Sequence, residues 1–259
     1  MADERAGRSR HVYGVHAVRT LIEKRPGAIL DAKVLRGPKA GAIPELVRAL
    51  NAHAIPVERL QRADLDRISQ HASHQGVIVR TRGPQEIGVR EFEDIVVARG
   101  RSLLCLMLDG IQDPRNLGAC LRTADAAGAD AVVVPRRRAG GLTPAALKAA
   151  AGAAETVPLG RVSNLAATLR WLKGAGAWIV GADGAAPRSV YQARLEVPIV
   201  LAVGGEGRGL KRLTRALCDE VVSIPMHGTV ESLNVAVATA VLLFELRRQM
   251  DARALRRRR

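Results

Sequence analysis

The sequence predicts an α/β protein of two domains, with a parallel β-sheet in the larger, C-terminal one. Short apolar runs alternate with helical segments along the whole chain of 259 residues, which is typical of layered α/β domains. Five runs in the C-terminal two thirds are apolar without interruption, as expected of strands buried on both faces of a parallel sheet. The segment TRGPQEIG over 81–88 has the Gly and Pro of a connection between domains.

The N-terminal part begins with a polar segment, 1–10, that we expect to be disordered, and continues as a small α/β domain over 11–83. Helix and strand patterns alternate in this domain. A linker is expected over 84–101. The predicted helices cover 15–24, 44–52 and 63–70, and the predicted strands cover 33–36, 56–58 and 77–80.

The C-terminal domain is expected over 102–250, followed by a basic tail over 251–259. Its last helix follows Ser232, a good N-cap, and is almost wholly apolar from Val235 to Phe244, so it must be buried against protein. Crossover helices between parallel strands predict a doubly wound sheet, which binds ligands beyond the carboxyl ends of its strands. The predicted strands cover 102–108, 131–134, 177–180, 199–203 and 221–224, and the earlier helices cover 115–127, 144–151, 164–173 and 210–217.

The charge of the chain favours a polyanionic partner. The net charge is +15, and residues 1–83 alone hold fifteen basic and eight acidic side chains. This predicts nucleic acid as the partner before a membrane surface. Aromatic residues make up only 2% of the chain, which argues against a platform for base stacking and favours contacts to the backbone of a folded RNA.

Membrane and metal signals are missing from the sequence. No run approaches eighteen apolar residues and no signal-peptide pattern opens the chain, so we expect a soluble, cytoplasmic protein. The three cysteines lie in apolar or helical contexts without the spacing of a zinc site, so we expect reduced core residues and no metal.

The first candidate functional loop follows the strand predicted over 102–108. Asp113 and Pro114 predict a helix start, with Asn116 in the first turn and Arg122 two turns in. Gly118 removes a side chain, so another backbone or a ligand can come close. By itself, this pattern fits an ordinary capped helix with a solvated arginine equally well.

The second candidate loop, PIVLAVGGEGRGL over 198–210, runs from a buried strand into four glycines with Glu206 among them. Glycine loops after strands often bind phosphates. This loop has neither the Walker A pattern nor the G-x-G-x-x-G pattern, and its carboxylate repels phosphate. A cationic ligand, or a hydroxyl that needs an acceptor, therefore fits it better.

The third candidate segment, IPMHGTVESLNV over 224–235, joins the last strand to the last helix. Ser232, Asn234 and His227 are polar groups between two buried elements, where they are costly unless they have a role. A helix cap and a turn are the ordinary explanation for Ser232.

Together, and in order, these three motifs resemble the SpoU class of the SPOUT RNA methyltransferases. The resemblance covers 103–249. The only difference that we see is Gly205, where a serine is common. The residues that carry the resemblance are Asp113, Pro114, Asn116, Gly118, Arg122 and Thr123; Gly204, Glu206, Gly209 and Leu210; and Ile224, Pro225, Met226, Gly228, Ser232, Leu233, Asn234 and Val235.

A second resemblance concerns the N-terminal domain. YGVHAV over 13–18 and HQGV over 74–77 are similar to the L30e-like RNA-binding domain of the 23S rRNA guanosine-2'-O-methyltransferases of this class. The tRNA guanosine methyltransferases of the class generally lack this domain, whereas the thiostrepton-resistance enzymes have a comparable one. The resemblance implies methylation of a guanosine ribose in 23S rRNA, in the peptidyl-transferase region.

The resemblance also implies a fold, a cofactor and an oligomeric state. The fold is a C-terminal trefoil-knotted SPOUT domain with a smaller N-terminal L30e-like domain. Such a knot is a rare exception, because protein chains are almost always unknotted. The methyl donor is S-adenosylmethionine, no metal is needed, and the protein is a homodimer. The cofactor-binding residues implied are Val203, Gly204, Gly205, Ile224, Met226 and Leu233.

The implied reaction is attack of a ribose 2'-oxygen on the donor methyl group. The resemblance assigns activation of this hydroxyl to Arg122, although arginine rarely loses its proton. Either a substrate phosphate orients Arg122 to act as the base, or the charged Arg122 stabilises the developing alkoxide. Asn116, Glu206, Ser232 and Asn234 are implied to position the ribose, the arginine or the cofactor.

Three other functions remain open from the sequence. An enzyme of the same class can act on tRNA or on another rRNA site, and the L30e-like domain argues against tRNA. A non-catalytic RNA-binding or ribosome-assembly factor is opposed by the presence of Asn116, Arg122, Glu206 and Asn234. A Rossmann-type nucleotide enzyme is opposed by the glycine spacing.

Overall fold

The computed structural model describes residues 9–37, 41–82, 86–137, 139–193, 195–207 and 209–257. The chain forms two compact units, Met1–Gln85 and Glu86–Arg259. Of the segment that we expected to be disordered, 1–8 lie outside the described residues, and Arg10 already begins a strand. The boundary expected between residues 83 and 84 also lies outside the described residues.

The first unit is a mixed four-stranded sheet in the order β1-β4-β2-β3, covered by helices. Strand β4 is antiparallel to both β1 and β2, and β2 is parallel to β3. The short strand β1 was not predicted, because its four residues include two polar side chains. The elements are β1 Arg10–Tyr13, α1 Val15–Lys24, β2 Ile29–Leu35, α2 Ala42–Ala52, β3 Val57–Leu60, α3 Arg62–Ile68 and β4 Val77–Thr81.

The two N-terminal sequence motifs meet in this unit. Gly14 precedes α1 with φ 95°, a left-handed conformation that favours glycine, and its N–H donates to the Val77 carbonyl at 3.3 Å. The Gln75 side chain accepts from the Val15 N–H at 2.9 Å and so satisfies an otherwise free donor of the first helical turn. The buried His74 accepts from the Gly76 N–H at 3.0 Å. The motif residues therefore hold the start of α1 against the start of β4.

The second unit is a seven-stranded parallel sheet in the order β11-β9-β10-β6-β7-β8-β5, with helices between the strands. The described elements are β5 Glu86–Ile87, α4 Val89–Arg99, β6 Leu104–Asp109, α5 Pro114–Ala126, β7 Ala131–Pro135, α6 Pro144–Ala150, β8 Leu159–Val162, α7 Leu165–Gly174, β9 Trp178–Ala182, β10 Ile199–Gly204, α8 Arg212–Leu217, β11 Glu220–Val222 and α9 Val235–Arg257.

The strand order makes the sheet doubly wound, as the sequence predicts. From β6 the chain adds β7 and β8 on one side, and then crosses to the other side to form β9, β10 and β11. Strands β6 and β10 are neighbours across this reversal, with Asp109 opposite Gly204 at their carboxyl ends. Such a reversal leaves a crevice in which α/β proteins bind ligands. All three candidate loops follow strands β6, β10 and β11 at this edge.

One expectation about the connections was wrong. From Glu86 onward, the expected linker is folded: it contains β5 and helix α4, whose Phe92 and Val96 are buried in the core. The Gly and Pro residues of 81–88 are typical of a linker, so helix α4, which begins at Val89, was not predicted from the sequence. The expected basic tail is also helical as far as Arg257, because α9 continues without interruption. None of the described helices is long and apolar enough to cross a membrane.

Candidate active site

Glycine is required where β10 ends, because the loop after it folds back on itself. A Cβ added at Gly204 would overlap the backbone of Gly209. One added at Gly205 would lie 2.7 Å from the Gly110 carbonyl oxygen. The Gly205 N–H donates to the Asp109 carbonyl at 3.1 Å, and the Gly209 N–H donates to the Gly205 carbonyl at 3.0 Å. Gly204 and Gly205 therefore pack tightly against Gly209 and against the end of β6.

Asp109 holds both ends of this loop, a role that the sequence analysis missed. Its side chain is fully buried. It accepts from the Thr214 hydroxyl at 2.6 Å, from the Lys211 N–H at 3.3 Å, and from the Lys211 ammonium. Burial of a carboxylate is costly unless it is paired and hydrogen-bonded, as here. The signal in the sequence is a charged residue at the end of an otherwise apolar strand.

A cavity of about 500 Å³ opens at the carboxyl ends of β9, β10 and β11. Its volume lies within the roughly 300–1,000 Å³ of ordinary small-molecule sites. All six residues that the resemblance implies for cofactor binding line it: Val203, Gly204, Gly205, Ile224, Met226 and Leu233.

A polar cluster beside the cavity joins the three motifs. The Asn234 side-chain oxygen accepts from the Ala236 N–H at 2.9 Å and caps α9. The Asn234 amide NH₂ donates to the Asn116 side-chain oxygen at 3.1 Å, and the Asn116 NH₂ donates to Glu206 Oε1. Because the Asn234 side-chain oxygen accepts from the backbone of α9, its NH₂ group must be the donor to Asn116. The Asn116 oxygen then accepts, so the Asn116 NH₂ group must be the donor to Glu206. The second oxygen of Glu206 has no partner among the described residues and is available as an acceptor.

The structure does not bring Arg122 into this cluster. Arg122 is exposed, does not line the cavity, and has no hydrogen-bond or ion-pair partner in the part of the chain that the structure describes. It lies six residues after Asn116 on α5, so it is rotated by roughly 120° about the helix axis and displaced by about 9 Å along it. Within one chain, Arg122 and Asn116 therefore point in different directions.

Ser232 lines the cavity and is exposed, but it is not the N-cap of α9. The helix begins at Val235, and the residue directly before it, Asn234, caps it. That expectation was wrong because two good capping residues lie two positions apart. His227 is exposed and does not line the cavity.

Asp183, at the end of β9, is a second cavity residue that the sequence analysis missed. Its carboxylate accepts from the Ala185 N–H at 2.9 Å and forms an ion pair with Arg215 of α8. The signal is the Ala-Asp-Gly sequence that directly follows an apolar run, in the same position relative to its strand as Asp109.

Gly118 has the role that its position predicts. A Cβ at Gly118 would overlap the Ala146 carbonyl oxygen and lie 2.7 Å from the Ala149 Cβ, both in α6. On its other side, α5 contacts α9, where the Cys120 thiol lies 3.8 Å from the Thr239 hydroxyl oxygen. Helix α5 is therefore packed closely between two helices.

The described residues contain no group of three or more His, Cys, Asp or Glu side chains that could hold a metal ion. The three cysteines are free. Burial raises the pKa of Cys120 and of Cys218 to about 11, so both thiols are protonated near neutral pH and are poor nucleophiles.

Comparison with known families identifies the fold of both units. The model of the SpoU rRNA methylase family matches residues 103–244, and a model for the substrate-binding domain of RNA 2'-O ribose methyltransferases matches residues 11–87. The chain belongs to the SpoU rRNA methylase family. The first match covers the three motifs of the C-terminal domain, and the second covers the two N-terminal motifs over 13–18 and 74–77.

Individual relatives extend over nearly the whole chain. The chain is 46% identical over 242 residues to the 23S rRNA (guanosine-2'-O-)-methyltransferase RlmB of Haemophilus influenzae, covering 93% of this chain and 98% of that protein. It is 44% identical over 241 residues to RlmB of Escherichia coli K12, covering 93% and 99%.

Solved structures show the same fold. The SpoU methyltransferase AviRb from Streptomyces viridochromogenes in complex with AdoMet has a TM-score of 0.74 and 26% identity, covering 96% of this chain and 92% of that one. A structure concerned with 2-OH methylation of C/U34 on tRNA has a TM-score of 0.53 and 32% identity, and covers 58% of this chain and 97% of that one.

Proposed function

We propose that this protein is an S-adenosylmethionine-dependent methyltransferase that modifies the ribose 2'-hydroxyl of a guanosine in 23S rRNA, in the peptidyl-transferase region. The observation that carries the proposal is the meeting of three sequence-distant motifs at one cavity, in a chain 44–46% identical to the RlmB enzymes over almost its full length.

The cavity fits the proposed cofactor. Val203, Ile224 and Leu242 give it apolar walls, and the four glycines of the loop 204–210 line it without side chains, so a ligand can contact their backbone. A ligand with an adenosine and a cationic sulfonium requires this combination of apolar surface, main-chain donors and a nearby acceptor. When bound, S-adenosylmethionine supplies an activated methyl group, so no metal is required.

Glu206 and Asn116 are proposed to position the ribose. The amide chain from Asn234 through Asn116 holds one Glu206 oxygen, and the other oxygen accepts from the 2'-hydroxyl. Ser232 is exposed on the cavity lining and is proposed to assist from the third motif. Because the whole chain of bonds ends on the cap of α9, the position of Glu206 depends on the start of that helix.

Arg122 is proposed to activate the 2'-oxygen. A guanidinium keeps its proton in proteins, so stabilisation of the developing alkoxide is favoured over proton abstraction by Arg122, and the hydroxyl proton passes to the second Glu206 oxygen, which accepts from it. Arg122 points away from the cavity of its own chain. We therefore propose that the ribose on which it acts is bound jointly by this chain and a second copy.

We propose a homodimer built on α9. Val237 and Phe244 are exposed at 50% and 51%, and with the half-buried Val241 they form one apolar stripe at helical spacing. Helix α9 also packs on α5, which carries Arg122. A partner copy on this stripe would cover apolar surface close to the helix that presents the arginine.

The two units are proposed to divide the work. The second unit holds the cofactor, in a trefoil knot formed by the segments after β10 and β11. The first unit selects the RNA, because residues 1–83 hold fifteen basic and eight acidic side chains. The tRNA-related structure matches only 58% of this chain, whereas the RlmB proteins match both units, which favours 23S rRNA over tRNA. An rRNA substrate places the proposed enzyme in the cytoplasm.

The test is a methylation assay with purified protein, a chelator, and undermethylated 23S rRNA, 16S rRNA or tRNA from a strain that lacks the gene. We expect 2'-O-methylation of one guanosine in 23S rRNA only, unaffected by the chelator. Methylation of tRNA alone would refute the substrate. Failure to bind S-adenosylmethionine by calorimetry would refute the enzyme, and loss of binding on chelation would refute the metal-free reaction.

A further inference from the structure

A basic loop follows β7 and lies beside the first motif. Strand β7 ends at Pro135, and the loop begins with Arg136 and Arg137, both exposed. Arg138 continues the basic run in the sequence but lies outside the described residues. Strand β7 neighbours β6 in the sheet, so this loop and the loop carrying the first motif leave the same edge from adjacent strands.

Backbone contacts fix this loop against the start of α5. The Arg136 N–H donates to the Val162 carbonyl at 2.7 Å, which extends the pairing of β7 with β8. The Gly140 N–H donates to the Ile111 carbonyl at 2.8 Å. A Cβ at Gly140 would lie 3.6 Å from the Pro114 Cα, so the two backbones are nearly in contact. The loop therefore lies against the start of α5, the helix that carries Asn116 and Arg122.

Three arginines on these two segments form no ion pair with any described residue. Within the described part of the chain, the side chains of Arg115, Arg136 and Arg137 have no hydrogen-bond or ion-pair partner. By contrast, Arg161 beneath the loop donates to the Gly140 carbonyl at 3.0 Å and pairs with Glu86. Asp113, the N-cap of α5, is the acidic side chain next to Arg115 in this segment, and one of its oxygens accepts from the Arg115 N–H at 2.8 Å. A surface with one carboxylate and three arginines that are unpaired among the described residues thus carries net positive charge beside the proposed active site.

We infer that Arg115, Arg136 and Arg137 form a contact surface for RNA phosphates on the methyltransferase unit, separate from the N-terminal unit. This inference rests on the proposed function, because the occupant is the RNA that presents the reactive ribose. Because the backbone of this loop is already fixed, binding a phosphate orders only the arginine side chains and not the loop. Arginine also forms two parallel bonds to a phosphate. The surface holds the strand that flanks the methylated nucleotide.

The test compares Arg136→Ala/Arg137→Ala with a control of equal charge change, Arg101→Ala/Arg170→Ala, in the full-length protein. Arg101 precedes β6, at the opposite edge of the sheet, and Arg170 lies on α7; both are exposed and have no side-chain partner among the described residues. Binding of 23S rRNA is measured over a range of salt concentrations, together with KM for RNA, kcat and S-adenosylmethionine affinity. A third variant, Arg136→Lys/Arg137→Lys, keeps the charge.

We expect the loop variant to reduce the slope of log K against log salt by roughly 1.5 to 2, because each phosphate contact contributes about 0.7 to 1. KM for RNA should rise, with kcat at saturating RNA and S-adenosylmethionine affinity unchanged. The control should retain the native slope, and the lysine variant most of it.

An unchanged slope in the loop variant, or an equal loss in the control, overturns the inference. Failure of the proposed function is distinct from both results. If the unsubstituted protein binds RNA but does not methylate 23S rRNA, the substrate is wrong, while the slopes of the variants still decide whether the surface binds phosphates.

Discussion

Replacing Gly118 by alanine tests whether the close packing of α5 and α6 determines the stability of the second unit. In an exposed helix this change is stabilising, by about 0.5–1 kcal/mol, because alanine restricts the unfolded chain and favours the helix. Gly118 is buried, however, and its added Cβ would overlap the Ala146 carbonyl oxygen and lie 2.7 Å from the Ala149 Cβ.

The magnitude follows from what these two neighbours can do. An ordinary Cβ contact requires about 3.4 Å or more, and a backbone carbonyl cannot rotate away as a long side chain can, so α6 must shift as a unit. Overpacking of this kind costs about 1–3 kcal/mol, and a backbone neighbour places the cost near the upper value. After subtracting the gain in helix propensity, we expect Gly118→Ala to destabilise the unit by roughly 2 kcal/mol. For a unit of this size that lowers Tm by roughly 4–8 °C.

The assay is thermal and urea unfolding of Gly118→Ala beside a matched control, Gly174→Ala. Gly174 ends α7, and a Cβ there would have no neighbour within 4 Å, so the control should be neutral or stabilised by up to about 1 kcal/mol. The prediction is that Gly118→Ala destabilises the protein and that Gly174→Ala does not. If Gly118→Ala is as stable as the unsubstituted chain, α5 and α6 are not packed as described, and the placement of Asn116 loses its support.

We expect Arg122→Ala to abolish methyl transfer with S-adenosylmethionine affinity within a few-fold of native, because Arg122 lies outside the cavity lining; calorimetry with a methyl-transfer assay checks this, and lost binding with retained turnover would contradict it. Arg122→Lys should fail as well, since lysine lacks the planar fork. Deletion of residues 1–85 should leave a dimer that binds the cofactor but loses most rRNA binding and its salt dependence; an unchanged salt slope would show that the N-terminal unit does not hold RNA. Hydrogen bonds from Arg248 lower the pKa of Glu245 below its ordinary 4.5. The difference in free energy of unfolding between the native protein and Glu245→Gln should therefore be constant above about pH 4.5 and shrink as the pH falls through the lowered pKa. A difference independent of pH would exclude this linkage.

Much of the fold was predictable, because the strands of a parallel sheet are buried on both faces and are therefore apolar throughout. The five predicted strands of the second unit are present as β6, β7, β9, β10 and β11. Strand β8 was missed since Gly160 and Arg161 interrupt its apolar pattern. Helix α4 was missed since the Gly and Pro in front of it are typical of a linker.

The site was predicted unequally. Residues of the second and third motifs line one cavity, because loops that follow parallel strands meet at one edge of the sheet. Asp109 and Asp183 were not identified, although each is the charged residue at the end of an apolar strand. Their partners are Lys211, directly before α8, and Arg215 on α8, and a sequence does not show which helix packs behind which strand.

The sequence by itself determined the chemistry at the edge of the sheet: the glycines, the carboxylate, the amides and the arginine are local features of three motifs. Only the tertiary structure decided which of them meet. Asn116 reaches Glu206 across 90 residues and Asn234 across 118, because β10 lies beside β6 where the strand order of the parallel sheet reverses. The same structure directs Arg122 away from that cluster, since the turn of α5 sets its direction. Contacts between distant segments depend on strand order and helix packing, which local sequence patterns do not encode.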